Sequence, residues 1–193
     1  LVPETPPAYE LLRCGTEGAE LSVAAGKITE ALEKGQSLSK GWKVKDAKMV
    51  GQKSRKKVVD FTDAGGAPLI TAKAKAVLEP FGLEGVELLP TKVKDHGGKV
   101  VKGEFWLFHV TATRPYVDLA ESDIESLHGF LWTAREIVVD EQALRDRPAF
   151  FRVPGARYPW VFVRRDVIEA MTAAKLTGFR TESPLEFEYE VEG

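Results

Sequence analysis

Apolar and polar positions alternate with two different periods along residues 161–184, VFVRRDVIEAMTAAKLTGFRTESP. Val161, Phe162 and Val163 are a short apolar run, as in a buried strand. Val167, Ala170, Met171 and Ala174 then recur at helical spacing and make one apolar face. Asp166 and Glu169 fall in the first turns, where carboxylates suit the positive end of the helix dipole. Leu176, Thr177 and Gly178 stop the helix, because glycine takes a left-handed conformation at least cost. Phe179 begins a second strand. A strand–helix–turn–strand unit is expected here.

The same pattern recurs 93 positions earlier. Leu69 and Ile70 stand in for Phe162 and Val163, and Ala74, Val77, Leu78 and Phe81 form the helical face. Leu83, Gly85 and Val86 match Leu176, Gly178 and Phe179. Only the Leu and Gly of the turn are identical, so the likeness is one of pattern. Pro80 should end this helix near Leu78 or Glu79, since its ring clashes inside a helix.

Elsewhere the pattern predicts short elements. Residues 8–12 start a strand, and residues 27–34, KITEALEK, form a helix ended by Gly35. Residues 40–57 are lysine-rich and read as a solvated strand or loop, without the stacking aromatics that nucleic-acid binding would use. Strands are expected at 58–61 and 86–90. Asp95, His96, Gly97 and Gly98 make a turn, with Val100 and Val101 on its far side as in a hairpin. Residues 105–110, FWLFHV, read as a strand buried on both faces, which makes His109 a structural histidine. Ser122 and Glu125 have capping-box spacing, predicting a short helix to about His128. Strands follow at 130–132, 137–139, 150–153 and 160–163, with a small helix from Asp140 to Arg145. Residues 185–192, LEFEYEVE, alternate strictly, so Glu186, Glu188, Glu190 and Glu192 line one face of a half-buried strand.

Short strands alternating with short helices, without long crossover helices, indicate an α+β fold: a mixed, mostly antiparallel sheet. The two matched units leave room for two lobes, 1–115 and 116–193. Charge sharpens this division. Residues 1–117 hold 18 basic and 14 acidic side chains, and residues 118–193 hold 9 and 15. An acidic surface on the second part would steer a basic partner. Cys14 is the only cysteine, so no intrachain disulfide forms, which fits a reducing compartment. No apolar run approaches the ~20 residues of a membrane helix.

Chemistry is sparse. His96, His109 and His128 stand in unlike contexts, and neither an HExxH nor a paired-cysteine motif occurs. There is no GxSxG elbow and no phosphate-cradling glycine loop. No catalytic residue, metal or cofactor is expected. An enzyme of unrecognised type and a structural or adaptor module stay open beside a binding protein.

Several segments together resemble a bacterial family of immunity proteins from polymorphic toxin systems, once a domain of unknown function and named for a myxobacterial member. The resemblance covers residues 58–184. It rests on the Leu83 to Val86 turn, Val117 and Asp118 with Ser122, Phe151 with Arg152, and the Leu176 to Phe179 turn. Family members often carry serine where Arg164 and Arg165 open the last helix. The resemblance implies a single immunity-type domain over 1–193. It implies a cytoplasmic binder of a cognate protein toxin, often a nuclease, with neither nucleic acid nor membrane as partner. The residues expected to meet a basic toxin are Asp118, Glu121, Asp123, Glu125 and the four C-terminal glutamates.

Overall fold

The computed structural model describes residues 8–14, 20–23, 27–50, 58–64, 67–127, 130–140, 147–155 and 161–184. In chain order the first elements are β1 (Tyr9–Cys14), β2 (Glu20–Val23), α1 (Lys27–Lys34), β3 (Lys45–Val50), β4 (Phe61–Asp63), β5 (Pro68–Thr71), α2 (Ala72–Leu78) and β6 (Val86–Lys94). They are followed by β7 (Phe105–Val110), β8 (Asp123–Leu127), β9 (Phe130–Glu136), β10 (Phe150–Arg152), β11 (Val161–Arg164), α3 (Arg165–Ala173) and β12 (Phe179–Glu182). The fold is α+β, dominated by sheet.

The two matched segments fold into the same unit. β5 and β11, α2 and α3, and β6 and β12 each begin 93 positions apart. In the first unit β7 lies between β5 and β6, antiparallel to both, and β4 flanks β5. In the second, β1 lies between β11 and β12, antiparallel to both, and β10 flanks β11. Each helix is therefore the crossover between two like-directed strands with one reversed strand between them. The strand from the start of the chain sits inside the sheet of its end, across the division near residue 115.

α2 starts at Thr71, whose hydroxyl accepts from the Ala74 amide, satisfying one of the orphan donors of a first turn. It stops where a single 3-10 turn, Glu79–Phe81, carries Pro80. The turn glycines are required in both units. Gly85 and Gly178 have φ of 71° and 83°. An added Cβ would come within 2.3 Å of Ala112 Cβ at Gly85 and within 2.1 Å of the Phe61 carbonyl oxygen at Gly178.

Alternation along the strands divides the core in three. Ile70, Phe108, Leu12, Phe150, Val161 and Val163 pack with Ala74 and Leu78 of α2 and Val167 and Met171 of α3. This central cluster joins both sheets through the two helices. Each fully buried side chain of this kind contributes about 1.5–3 kcal/mol. Leu69, Leu107, Leu89, Val93, Ala47 and Met49 point to the other side of the first sheet, against Leu32 of α1. The six strands of that sheet curl until β2 and β4 approach each other. Leu11, Phe151 and Phe162 point to the other side of the second sheet, where Tyr116, Ile137 and Ile124 cover them.

Several sequence expectations need correction. The capping-box helix at 122–125 is absent: residues 119–122 turn and Asp123 enters β8, paired with β9. The Ser122 hydroxyl donates to the Asp118 carbonyl and accepts from the Val138 amide. Tertiary partners thus take the side chain that a local cap would have used. The strand expected at 58–61 lies at Phe61–Asp63. Of the strand expected at 137–139, only a bridge from Val139 to Val117 forms. The small helix expected after Asp140 and the strand at 185–192 lie outside the described residues. The hairpin through residues 95–98 forms, with Val100 opposite Lys94.

Candidate partner-binding surface

Of the expected acidic residues, Asp118, Glu121, Asp123 and Glu125 lie along one turn and the strand that follows it. The Asp118 carboxylate accepts from the Ala120 amide at 2.9 Å and the Glu121 amide at 3.3 Å, folding the chain into a tight turn. Backbone bonds tie this turn to the segment after β9: Asp118 N to Val138 O and Asp140 N to Tyr116 O. β8 continues from the turn. Ile124 packs inward, and Asp123 and Glu125 stand exposed on either side of it. Asp118 and Glu121 are exposed as well. The fold adds a carboxylate that pattern reading missed: Glu136 is exposed directly opposite Asp123 across the hairpin. It also places Leu119 at the tip of the turn, 58% exposed. An apolar tip ringed by charges has the layout of an interface anchor within a polar rim. Sequence alone could not show it, because exposure depends on the packing of Ile137 and Tyr116 beneath. Glu186, Glu188, Glu190 and Glu192 lie outside the described residues.

The titratable groups of the interior are arranged differently. His109 is 1% exposed, and its Nε2 donates to the Gln36 carbonyl oxygen at 2.9 Å. Burial lowers its pKa below the ordinary 6.5, partly opposed by that hydrogen bond, and the nearby Arg152 adds to the lowering. The ring is therefore held neutral. Arg152 is 3% exposed, and its guanidinium donates to the Leu32 carbonyl oxygen at 2.6 Å. That carbonyl belongs to the last turn of α1, the negative end of the helix dipole. Burial pulls the Arg152 pKa down to about 10, so it remains charged near neutrality.

Glu87 stands opposite His109 across β6 and β7. Burial pushes its pKa up, and donors from Ser37, Leu38 and Ser39 overcome that and hold it below the usual carboxylate range. Together Glu87 and His109 of the first sheet and Arg152 of the second fasten residues 32–39 against both sheets. Each polar group faces backbone or a local hydroxyl, which is a structural use, as expected for His109. His128 lies outside the described residues. Cys14 is half-buried against the central cluster, and desolvation pushes its thiol far up, away from reactive thiolate. Among the described residues no group of His, Cys, Asp and Glu is placed to hold a metal ion, and no helix is long and apolar enough to cross a membrane.

Comparison with known proteins agrees with a binding role. No curated protein matches the chain. The family model described as "Immunity protein family (Imm11)" matches residues 17–183. That span reaches further towards the N-terminus than the segments carrying the resemblance, and takes in β2, α1 and β3. Both strand–helix–turn–strand units and the acidic corner lie inside it, and the chain belongs to the Imm11 family of immunity proteins.

Proposed function

We propose that this protein binds a cognate bacterial toxin of a polymorphic toxin system and neutralises it by covering its active surface, in the cytoplasm and without chemistry of its own. The family match carries this reading. The acidic corner supports a toxin with a basic active surface, such as a nuclease, whose site must attract phosphates. Opposite charges steer such partners together and fix their orientation. Leu119 would be the apolar anchor, with Asp118, Glu121, Asp123 and Glu125 around it; the glutamates Glu186, Glu188, Glu190 and Glu192 are further candidates of the same sign by sequence.

The test is co-expression with the toxin-like product of an adjacent gene. Cells should survive only when this chain is present, and the two products should co-purify. Death in its presence would end the reading. Replacing Glu121, Asp123 and Glu125 by lysine should slow association by about tenfold or more at low salt. Unchanged kinetics would remove this corner from the interface without touching the neutralising role.

A further inference from the structure

The first sheet carries two strands that have no counterpart in the second. β3 pairs in parallel with the end of β6, and β2 pairs with β3. The central cluster around α2 covers one face of this sheet across Ile70, Trp106 and Phe108 to Val86 and Leu88 in the first part of β6, and Lys75 lies 4.8 Å above the Trp106 ring. Further along the same face Asp46, Lys48 and Lys92 are exposed. Register places Lys48 beside Lys94 and Asp46 beside Lys92, and directly opposed residues share a face. Their neighbours Ala47, Met49 and Val93 are buried on the other side.

Three observations make this wing unlike an ordinary solvated face. Residues 40–50 and 90–104 hold eight lysines and three carboxylates. Lysines in the rest of the described chain are mostly ion-paired: Lys34 with Glu30, Lys73 with Asp60 and Lys75 with Glu79. On the wing, among the described residues, only Lys94 is ion-paired, with Asp46 at 2.6 Å. Lys43, Lys45, Lys48, Lys92, Lys99 and Lys102 make no ion pair among the described residues. Finally, among the described residues, two of the three exposed large apolar side chains are here, Val44 at 52% and Val100 at 55%. Val44 immediately precedes β3, and Val100 stands opposite Lys94.

Resting on the toxin-neutralising reading above, we propose that the outer face of this wing is a second docking surface, and that its occupant is an acidic surface of the toxin polypeptide. Lysines outside an ion pair have no bridge to break on docking, so an opposing carboxylate gains more of its attraction. Val44 and Val100 supply the apolar contacts that lysines alone lack. A sheet face with Asp46 among its lysines suits a protein surface of mixed composition better than a continuous phosphate backbone. Two contacts of opposite sign would also set the toxin's orientation and reject partners of uniform charge.

The experiment compares Lys48→Glu with Lys92→Glu against Lys175→Glu. Lys175 is exposed and away from the wing, so its replacement serves as the charge control. Association of each full-length protein with the purified toxin is followed at low and at physiological salt. The wing variant should associate about tenfold more slowly than the control, with a flatter salt dependence. The milder pair Lys48→Gln and Lys92→Gln should show a smaller loss in the same direction, which guards against misfolding of the charge-reversed protein. Equal rates for wing variants and control would overturn the wing as a toxin contact. Binding of a short DNA duplex by the unaltered protein, lost in the wing variants while toxin binding stays, would overturn it in favour of nucleic acid. Salt-sensitive self-association abolished by the wing variants, again with toxin binding intact, would overturn it in favour of a second copy. Failure of the unaltered protein to bind the toxin at all would overturn the toxin reading itself, and the wing contact with it.

Discussion

The two units share a plan but not the means of closing it. Both run helix, glycine turn and strand at the same spacing, and both insert one reversed strand. Matching positions face the same way: Leu78 and Met171 are buried, as are Leu107 and Leu11. In the second unit the turn runs directly against the backbone of the first. The Thr177 carbonyl accepts from the Phe61 amide, and the Thr177 amide donates to the Asp60 carboxylate at 3.0 Å. In the first unit, the Gly85 carbonyl accepts from the amides of Thr111 and Ala112 in the chain leaving β7. The difference extends to the outer strands. β12 is a four-residue edge, whereas β6 has nine residues and carries β3 and β2 beyond it. The core of each unit is therefore set by one pattern, and the surfaces available for partners come from what is added to it.

The largest expected effects come from the turn glycines. Gly178→Ala forces a Cβ onto a backbone oxygen at positive φ, and should cost about 3–5 kcal/mol in urea unfolding. Gly85→Ala meets the Ala112 side chain first and should cost less. The reverse order would mean that the first unit is the more rigid. Gly98→Ala shares the positive φ but meets nothing within 4 Å, so about 1 kcal/mol is expected.

Next in size is the clip between the units. Asp60 accepts from Thr71 at 2.8 Å with one oxygen and from the Thr177 amide and hydroxyl with the other. Asp60→Ala should cost about 2–3 kcal/mol, since it leaves several donors unsatisfied. A double-mutant cycle with Thr177→Ala should show coupling. Strict additivity would mean that the units are held together by the apolar core alone.

The smallest effect separates the units by pH. The pair Glu87 and His109 in the first unit is matched by Arg180 and Arg13 in the second, both bound to Glu182. Only the first contains a histidine. Its folded pKa is below the ordinary 6.5, so the unfolded chain binds the proton more readily. Stability from this group is complete above that value and declines as pH falls through the folded pKa. His109→Gln should flatten that decline between neutral and mildly acid pH. An unchanged slope would place the titration elsewhere.

Much of this plan was legible in the chain because it is local. The helical faces, the glycine stops and the spacing of 93 reflect periodicities that survive any tertiary context. What was not legible depends on partners distant in sequence. Nothing near Tyr9–Cys14 tells that its neighbours are Val161–Arg164 and Phe179–Glu182. Ser122 and Glu125 spell a helix start, and β9 overrides it. The carboxylates of the corner could be picked out from charge alone, but Leu119 at its tip could not. The lysines around β3 read as an ordinary solvated stretch until the register set Lys48 beside Lys94 on one bare face.

The central place of β1 bears on how the molecule is made. The ladder β4-β5-β7-β6 draws only on residues 61–110, and those leave the ribosome together. β1 emerges before all of them, yet both of its neighbours, Val161–Arg164 and Phe179–Glu182, follow only after that ladder has been made. It must wait, with Leu11 and Leu12 unsheltered, until those strands are translated. Closing such a distant pairing is slow. The growing chain thus has one sheet early and the other only once residues 161–182 have joined it.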